Sequence, residues 1–136
     1  MKIINRNEWL VMSGVVNEKL FGHIEDEFYD SEGYMDYKKL RMYLGLKVKD
    51  IAHIVGRSTR TLEKNPRSEK VQKELRKLGY TLELLKDMTK NRSKTQLWLR
   101  APNPEYAGLS PLEVISQGKV DSIIGYLEDI MKGLPA

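Results

Sequence analysis

The chain has 136 residues and a mass of 15.8 kDa, with 31% charged and 40% hydrophobic residues, the proportions of a globular domain. It has no cysteine and two histidines, His23 and His53, which excludes disulfides, thiolate nucleophiles, iron–sulfur clusters, cysteine zinc sites and multi-histidine metal sites. No apolar run approaches the roughly 20 residues that span a bilayer. Met1–Arg6 lacks a basic region leading into an apolar stretch, so a cytoplasmic protein without a membrane partner is expected.

The net charge of +4 is strongly segregated. Met1–Asp36 holds three basic and eight acidic residues, Tyr37–Arg100 eighteen and six, and Ala101–Ala136 two and five. A basic block between acidic ends points to one surface for a polyanion and others for a different partner. The alternative is a solvated basic face on ordinary helices.

Nearly the whole sequence reads as helix, because no stretch keeps a period-two alternation between turn signals. Asn5–Glu8 offers a capping start for a short helix with Trp9 and Leu10. Val16, Leu20, Ile24 and Phe28 recur every four residues, one helical face, interrupted by Glu25, Asp26 and Glu27. Ser31–Gly33 is a turn, and Asp36 caps a helix from Tyr37 to Leu44 with Leu40 and Leu44 inward.

Ser68 begins a long helix in which Val71, Leu75, Leu78, Leu82 and Leu85 form a seam, either core or a homodimer surface. Gly79 within it costs about 1 kcal/mol of helix propensity and points to the close approach of another element. Ser93-x-x-Gln96 reads as the cap of a helix carrying Leu97, Trp98 and Leu99, with Trp98 expected in the core. Ala101–Gly108 is a proline-bearing loop. Ser110–Pro111–Leu112–Glu113 is a capping box with proline at the first helical position, and Leu109 with Val114 fits a hydrophobic staple. Gly118 stops that helix. Val120, Ile123, Ile124, Leu127, Ile130 and Met131 stripe the last one, which Gly133 and Pro135 terminate.

Leu46–Asn65 fits a helix-turn-helix. Ala52 supplies the small residue at the helix crossing, Gly56 the tight turn, and Ile51, Val55 and Leu62 the apolar anchors. Ser58 caps the second helix, which exposes Thr59, Arg60, Thr61 and Lys64, with Arg57 just ahead of it. These six polar residues, 57–61 and 64, are the candidate DNA-binding set. Arg60 suits bidentate guanine readout, and Arg57 and Lys64 suit phosphates. The alternative is an αα-hairpin with a charged outer face. Arg57 stands where an apolar residue is more usual, and Pro66 ends the second helix after about two turns. His53 and His23 have no catalytic or ligand partners in the sequence and read as ordinary histidines.

Two strings carry a resemblance. Leu97–Trp98–Leu99–Arg100–Ala101–Pro102–Asn103–Pro104, and then Gly108–Leu109–Ser110–Pro111–Leu112–Glu113–Val114–Ile115 with Gly118, resemble the C-terminal toxin-binding domain of the Xre/MbcA/ParS antitoxins that pair with RES-domain toxins. Arg60–Thr61–Leu62 and Asn65–Pro66 resemble the Xre-like helix-turn-helix of the same family. The likeness covers about Tyr37 to Ala136, and Met1–Asp36 matches nothing in it.

The helical patterning and the resemblance together give an expected all-α protein in four parts: an acidic helical extension that the resemblance does not cover (1–36), a helix-turn-helix (37–67), a connecting long helix (68–92) and a toxin-binding domain (93–136). The resemblance implies a non-enzymatic antitoxin, without cofactor or metal, that covers the active site of an NAD-degrading RES-domain toxin and represses its own operon, as a homodimer within a larger complex. The candidate toxin-binding residues are Arg100, Glu128, Asp129, Lys132, Gly133, Leu134, Pro135 and Ala136. The acidic C-terminal third suits a basic nucleotide pocket, and the terminal carboxylate suits a phosphate site; the alternative is that the tail frays in solvent. The competing function is a stand-alone helix-turn-helix regulator whose C-terminal domain dimerises or senses a ligand. An enzyme is a poor reading: there is no nucleophile–base pair, glycine-rich phosphate loop or metal-ligand cluster.

Overall fold

The computed structural model describes residues 26–133, and among them the fold is all-α: seven helices, two short 3-10 turns and one isolated antiparallel bridge. The expectations for the first helix, for the face through Val16, Leu20 and Ile24, for His23 and for Leu134–Ala136 lie outside the described residues.

Asp26–Phe28 is a 3-10 turn. It leads into a small loop closed by the bridge between Tyr29 and Met35. Asp30 organises that loop: its carboxylate accepts from the backbone N–H of Glu32 (2.9 Å) and Tyr34 (3.0 Å), and Gly33 adopts a left-handed φ of 86°.

Helix α1 (Tyr37–Leu44) is capped by Asp36, which accepts from Lys38 N, and buries Tyr37, Leu40, Tyr43 and Leu44. Helix α2 (Val48–Val55) begins where Asp50 accepts from Lys47 N (2.9 Å), and ends at Gly56. Helix α3 (Thr59–Lys64) follows its Ser58 cap and stops at Asn65, before Pro66.

Helix α4 (Glu69–Thr89) is the spine. Its seam residues Val71, Leu75, Leu78, Leu82 and Leu85 are fully buried within one chain. Of the two possibilities for the seam, it is core. Its most extensive packing is with the last helix, and it also packs against α2 and the helix that follows it. Each buried leucine contributes about 1.5–3 kcal/mol relative to exposure. Gly79 faces Met35, and a Cβ built there would run into Met35 Cε.

Helix α5 (Arg92–Arg100) is capped by Asn91, which accepts from Lys94 N (3.0 Å). This corrects the Ser93 cap. Asn91 precedes Ser93 by two residues and its carboxamide reaches the first free N–H groups, so Ser93 already lies in the first turn. The loop after α5 holds a 3-10 turn, Pro104–Tyr106, capped by Asn103. Helix α6 (Pro111–Ser116) carries the expected reciprocal capping box between Ser110 and Glu113. Helix α7 (Val120–Met131) buries Val120, Ile123, Ile124 and Leu127; Ile130 is half-buried and Met131 exposed. Buried residues from every helix form one hydrophobic cluster.

Candidate functional site

The α2–turn–α3 unit sets out the first surface. Ala52, Ile51, Val55 and Leu62 are buried, as their assigned roles require. Gly56 takes φ 71°, and the backbone N–H groups of Gly56 and Arg57 close onto the last carbonyls of α2. A Cβ-bearing residue is strained in that conformation. Arg57, Ser58, Arg60 and Lys64 are exposed, and Thr59 and Thr61 are half-buried. The six residues are therefore together on one short helix and its approach, but they are not equally free. Ser58 Oγ accepts from Thr61 N (3.1 Å) and donates to Thr61 Oγ1 (3.0 Å), so the Ser58 hydroxyl caps the helix and the Thr61 hydroxyl is engaged with it. Arg57 donates to Gly56 O. Arg60 and Lys64 are exposed and form no ion pair among the described residues.

The second surface comes from α5, the loop and α7. Trp98 is half-buried rather than core. It stacks on Tyr126 of α7 (6.5 Å between centroids, 15°), which meets Tyr106 edge-on (5.7 Å, 70°). The buried face of α5 is Thr95 and Leu99, one turn apart, so Leu97 points away and is 70% exposed. Met42 on α1 is also exposed, at 72%. Asn103 holds the loop: its side chain accepts from Glu105 N, its N–H donates to Leu109 O, and its carbonyl accepts from Gly108 N. Asn103 thus shapes the loop, and Pro104 opens the 3-10 turn that it caps. Burial, with Tyr126 and Glu105 nearby, pushes the Tyr106 phenol up to about 12.

The candidate toxin-binding residues are spread over this half. Arg100 is exposed, but its guanidinium donates to Leu44 O (2.8 Å) and to Gln96 Oε1, and Gln96 in turn donates to Tyr43 O (2.9 Å). Arg100 therefore ties α5 to the end of α1. Glu128 is half-buried and accepts from the Tyr80 hydroxyl (3.3 Å), whose pKa is raised by burial and then by that carboxylate. Asp129 lines a shallow cleft with Glu105, Tyr106, Asp121 and Tyr126, an acidic rim around aromatic walls. Lys132 is exposed after α7, and Gly133 takes φ 73°. Arg100 lies at the α1 side and Glu128–Gly133 at the end of α7, so the structure distributes them rather than gathering them.

The two surfaces share supports. Helix α6 packs on α2, and the α6–α7 turn lies over the end of α2, with a Cβ at Gly118 reaching 3.9 Å from His53 O. His53 itself is exposed. Among the described residues no group of three or more His, Asp or Glu is placed to hold a metal ion, and no helix is long and apolar enough to cross a membrane.

Sequence reasoning missed the exposure of Leu97, which counting Thr95 with Leu99 as one face would have shown. It also passed over Lys70 and Lys73, which a helical wheel sets on α4 away from the Val71–Leu75 seam.

No protein-family model matches the chain, and no curated protein matches it. Among solved structures, a chain from the M. tuberculosis MbcT–MbcA toxin–antitoxin complex is similar over 73% of this chain and 93% of its own, with 17% identity and a TM-score of 0.47.

Proposed function

We propose that this chain is an antitoxin of the Xre/MbcA/ParS type. In this reading residues 93–136 bind and inhibit a RES-domain toxin that degrades NAD. The helix-turn-helix, within 37–67, binds operator DNA and represses the shared operon, and α4 joins the two. The protein is then an inhibitor and regulator, not an enzyme, and needs no cofactor. It acts in the cytoplasm.

The observation that supports this reading is the behaviour of the two strings that resemble the family. Trp98–Leu99–Arg100–Ala101–Pro102–Asn103–Pro104 and Ser110–Pro111–Leu112–Glu113 fold as one unit in which Trp98, Asn103 and Ser110 each have a stacking or capping task. Leu97 on that unit is exposed, and Glu105 of the unit shares a cleft with Asp129 and the Lys77-paired Asp121 of α7. A toxin that binds the phosphates of NAD carries a cationic pocket, which such carboxylates attract. The tail after Gly133 is the proposed plug for that pocket. Two copies on a palindrome would set two α3 helices about one DNA turn apart. Because the α4 seam is used within the chain, such a dimer needs another surface.

A second reading, the stand-alone regulator, is favoured by the exposed cations of α3. Co-expression with the product of the neighbouring gene, with a tag on that product alone, separates the two. The antitoxin reading expects co-purification of the pair, and weaker inhibition when Leu134–Ala136 are deleted. A chain that purifies alone, and still binds DNA, supports the regulator.

A further inference from the structure

The cations around α4 are unequally engaged. Arg67 is held by Asp30 (3.2 Å) and Glu32 (2.9 Å) and lies over the Tyr34 ring. Lys77 pairs with Glu74 and Asp121, and Lys86 with Glu27 and Glu83. Lys70 and Lys73 differ: both are exposed, and among the described residues neither forms an ion pair. They stand three residues apart on one face at the start of α4. With Arg57, at the approach to α3, they line a single open cleft whose other walls are Ser68 and Glu69. Three cations face one carboxylate there.

We propose that this cleft is a second contact to the DNA backbone, with Arg57, Lys70 and Lys73 binding phosphates beside the groove that α3 occupies. The proposal rests on the DNA-binding reading of α3. It names residues outside the helix-turn-helix, on the helix that also carries the molecule's core. Arg57 belongs to both surfaces, so the cleft continues the exposed edge of α3 instead of forming a separate patch. Cations already paired with carboxylates would have to exchange one partner for another on meeting phosphate. Lys70 and Lys73 lose no ion pair, so their contribution is the release of counterions from DNA. Glu69 repels phosphate and leaves the cleft a net charge of +2 from its three cations and one acid. A lysine ammonium is a point charge with no base preference, so the contact sets affinity and register rather than sequence.

The test is the salt dependence of binding to two fluorescent duplexes, one from the region upstream of the protein's own gene and one a scrambled duplex of equal length. The full chain is compared with the Lys70→Gln/Lys73→Gln double variant. A control, Lys90→Gln/Lys94→Gln, removes the same charge where α4 gives way to α5; Lys90 stands about 30 Å from Lys70 along the α4 axis, more than about three Debye lengths in physiological salt. The proposal expects the slope of log affinity against log salt to fall by about 1 for each lysine removed, equally on both duplexes. It expects the control to keep the wild-type slope, and Lys70→Arg/Lys73→Arg to restore it. A wild-type slope in the Lys70→Gln/Lys73→Gln variant, or an equal fall in the control, overturns the proposal and leaves α3 as the DNA contact. No binding of either duplex by the unaltered chain overturns the DNA-binding reading itself.

Discussion

Gln72 is the residue on which the first half of the molecule depends. It is buried, its Oε1 accepts from Met35 N (2.9 Å), and its Nε2 donates to Met35 O (3.0 Å) and Pro66 O (2.9 Å). One side chain thus stands in for a neighbouring strand, and holds both the Tyr29–Met35 loop and the segment after α3 against α4. Replacing it with leucine keeps the volume but leaves one N–H and two carbonyls unpaired, each costing about 1–3 kcal/mol when buried. Gln72→Leu is expected to lose about 3 kcal/mol in urea unfolding. A loss below about 0.5 kcal/mol, the range of neutral surface changes, would count against that role. The sequence cannot display it, since Met35 is 37 residues away and a glutamine in a helix ordinarily faces solvent. Arg100 is similar. It reads as an exposed contact residue, and much of its guanidinium is committed to Leu44 O, 56 residues back in the chain.

Helix ends, by contrast, are written locally. Asp36, Ser58, Ser68 and Ser110 all cap the helices that follow them, because a capping oxygen needs only a backbone N–H two or three residues ahead. The turn at Gly56 and the stop at Gly118 are legible for the same reason: each takes a positive φ that glycine adopts freely. Helix α5 is the exception. Asn91 and Ser93 both suit a cap, and which one serves depends on how far α4 runs before Lys90 turns left-handed. Ser110→Ala removes one half of the capping box of α6 and is expected to cost about 1 kcal/mol. That loss is readable as a lowered urea midpoint with an unchanged denaturant slope. Because α6 packs on α2, an unaltered midpoint would mean that α6 adds nothing to the cooperative unit.

Across the whole molecule, α4 unites what sequence divides. The basic and acidic thirds read as separate parts, yet their buried residues form one cluster around this helix. The exposed polar residues around α3 are therefore legible as a local feature, whereas the cleft between the Pro104–Tyr106 turn and α7, and the mutual support through α2–α6 and Arg100–Leu44, are not. Ion pairs reinforce the same frame. Glu27 bridges Lys86 and Arg92 at 2.8 Å each, joining the first turn to α4 and α5. Burial pushes its carboxyl up, but the hydrogen bonds from Lys86 and Arg92 more than offset this and hold it below its ordinary value. Asp30 is likewise lowered: desolvation is outweighed by the backbone N–H groups of Tyr34 and Glu32 and by Arg67. A carboxylate lowered on folding adds stability above its unfolded pKa and loses it as pH falls through the folded value. Thermal stability is therefore expected to hold from neutral pH down to about 4 and to decline below it, less steeply in Glu27→Gln. A Glu27→Gln protein with the same acid profile as the unaltered chain would remove this pair from the account.

Inhibition of an NAD-degrading partner is measured most directly as NAD consumption by the purified product of the neighbouring gene, titrated with the full chain. Consumption is expected to fall to the background rate at a fixed molar ratio. A chain lacking Leu134–Ala136 is expected to bind but to leave residual turnover. Undiminished NAD loss at saturating chain, with the partner active, would contradict the antitoxin reading and leave a DNA-binding regulator.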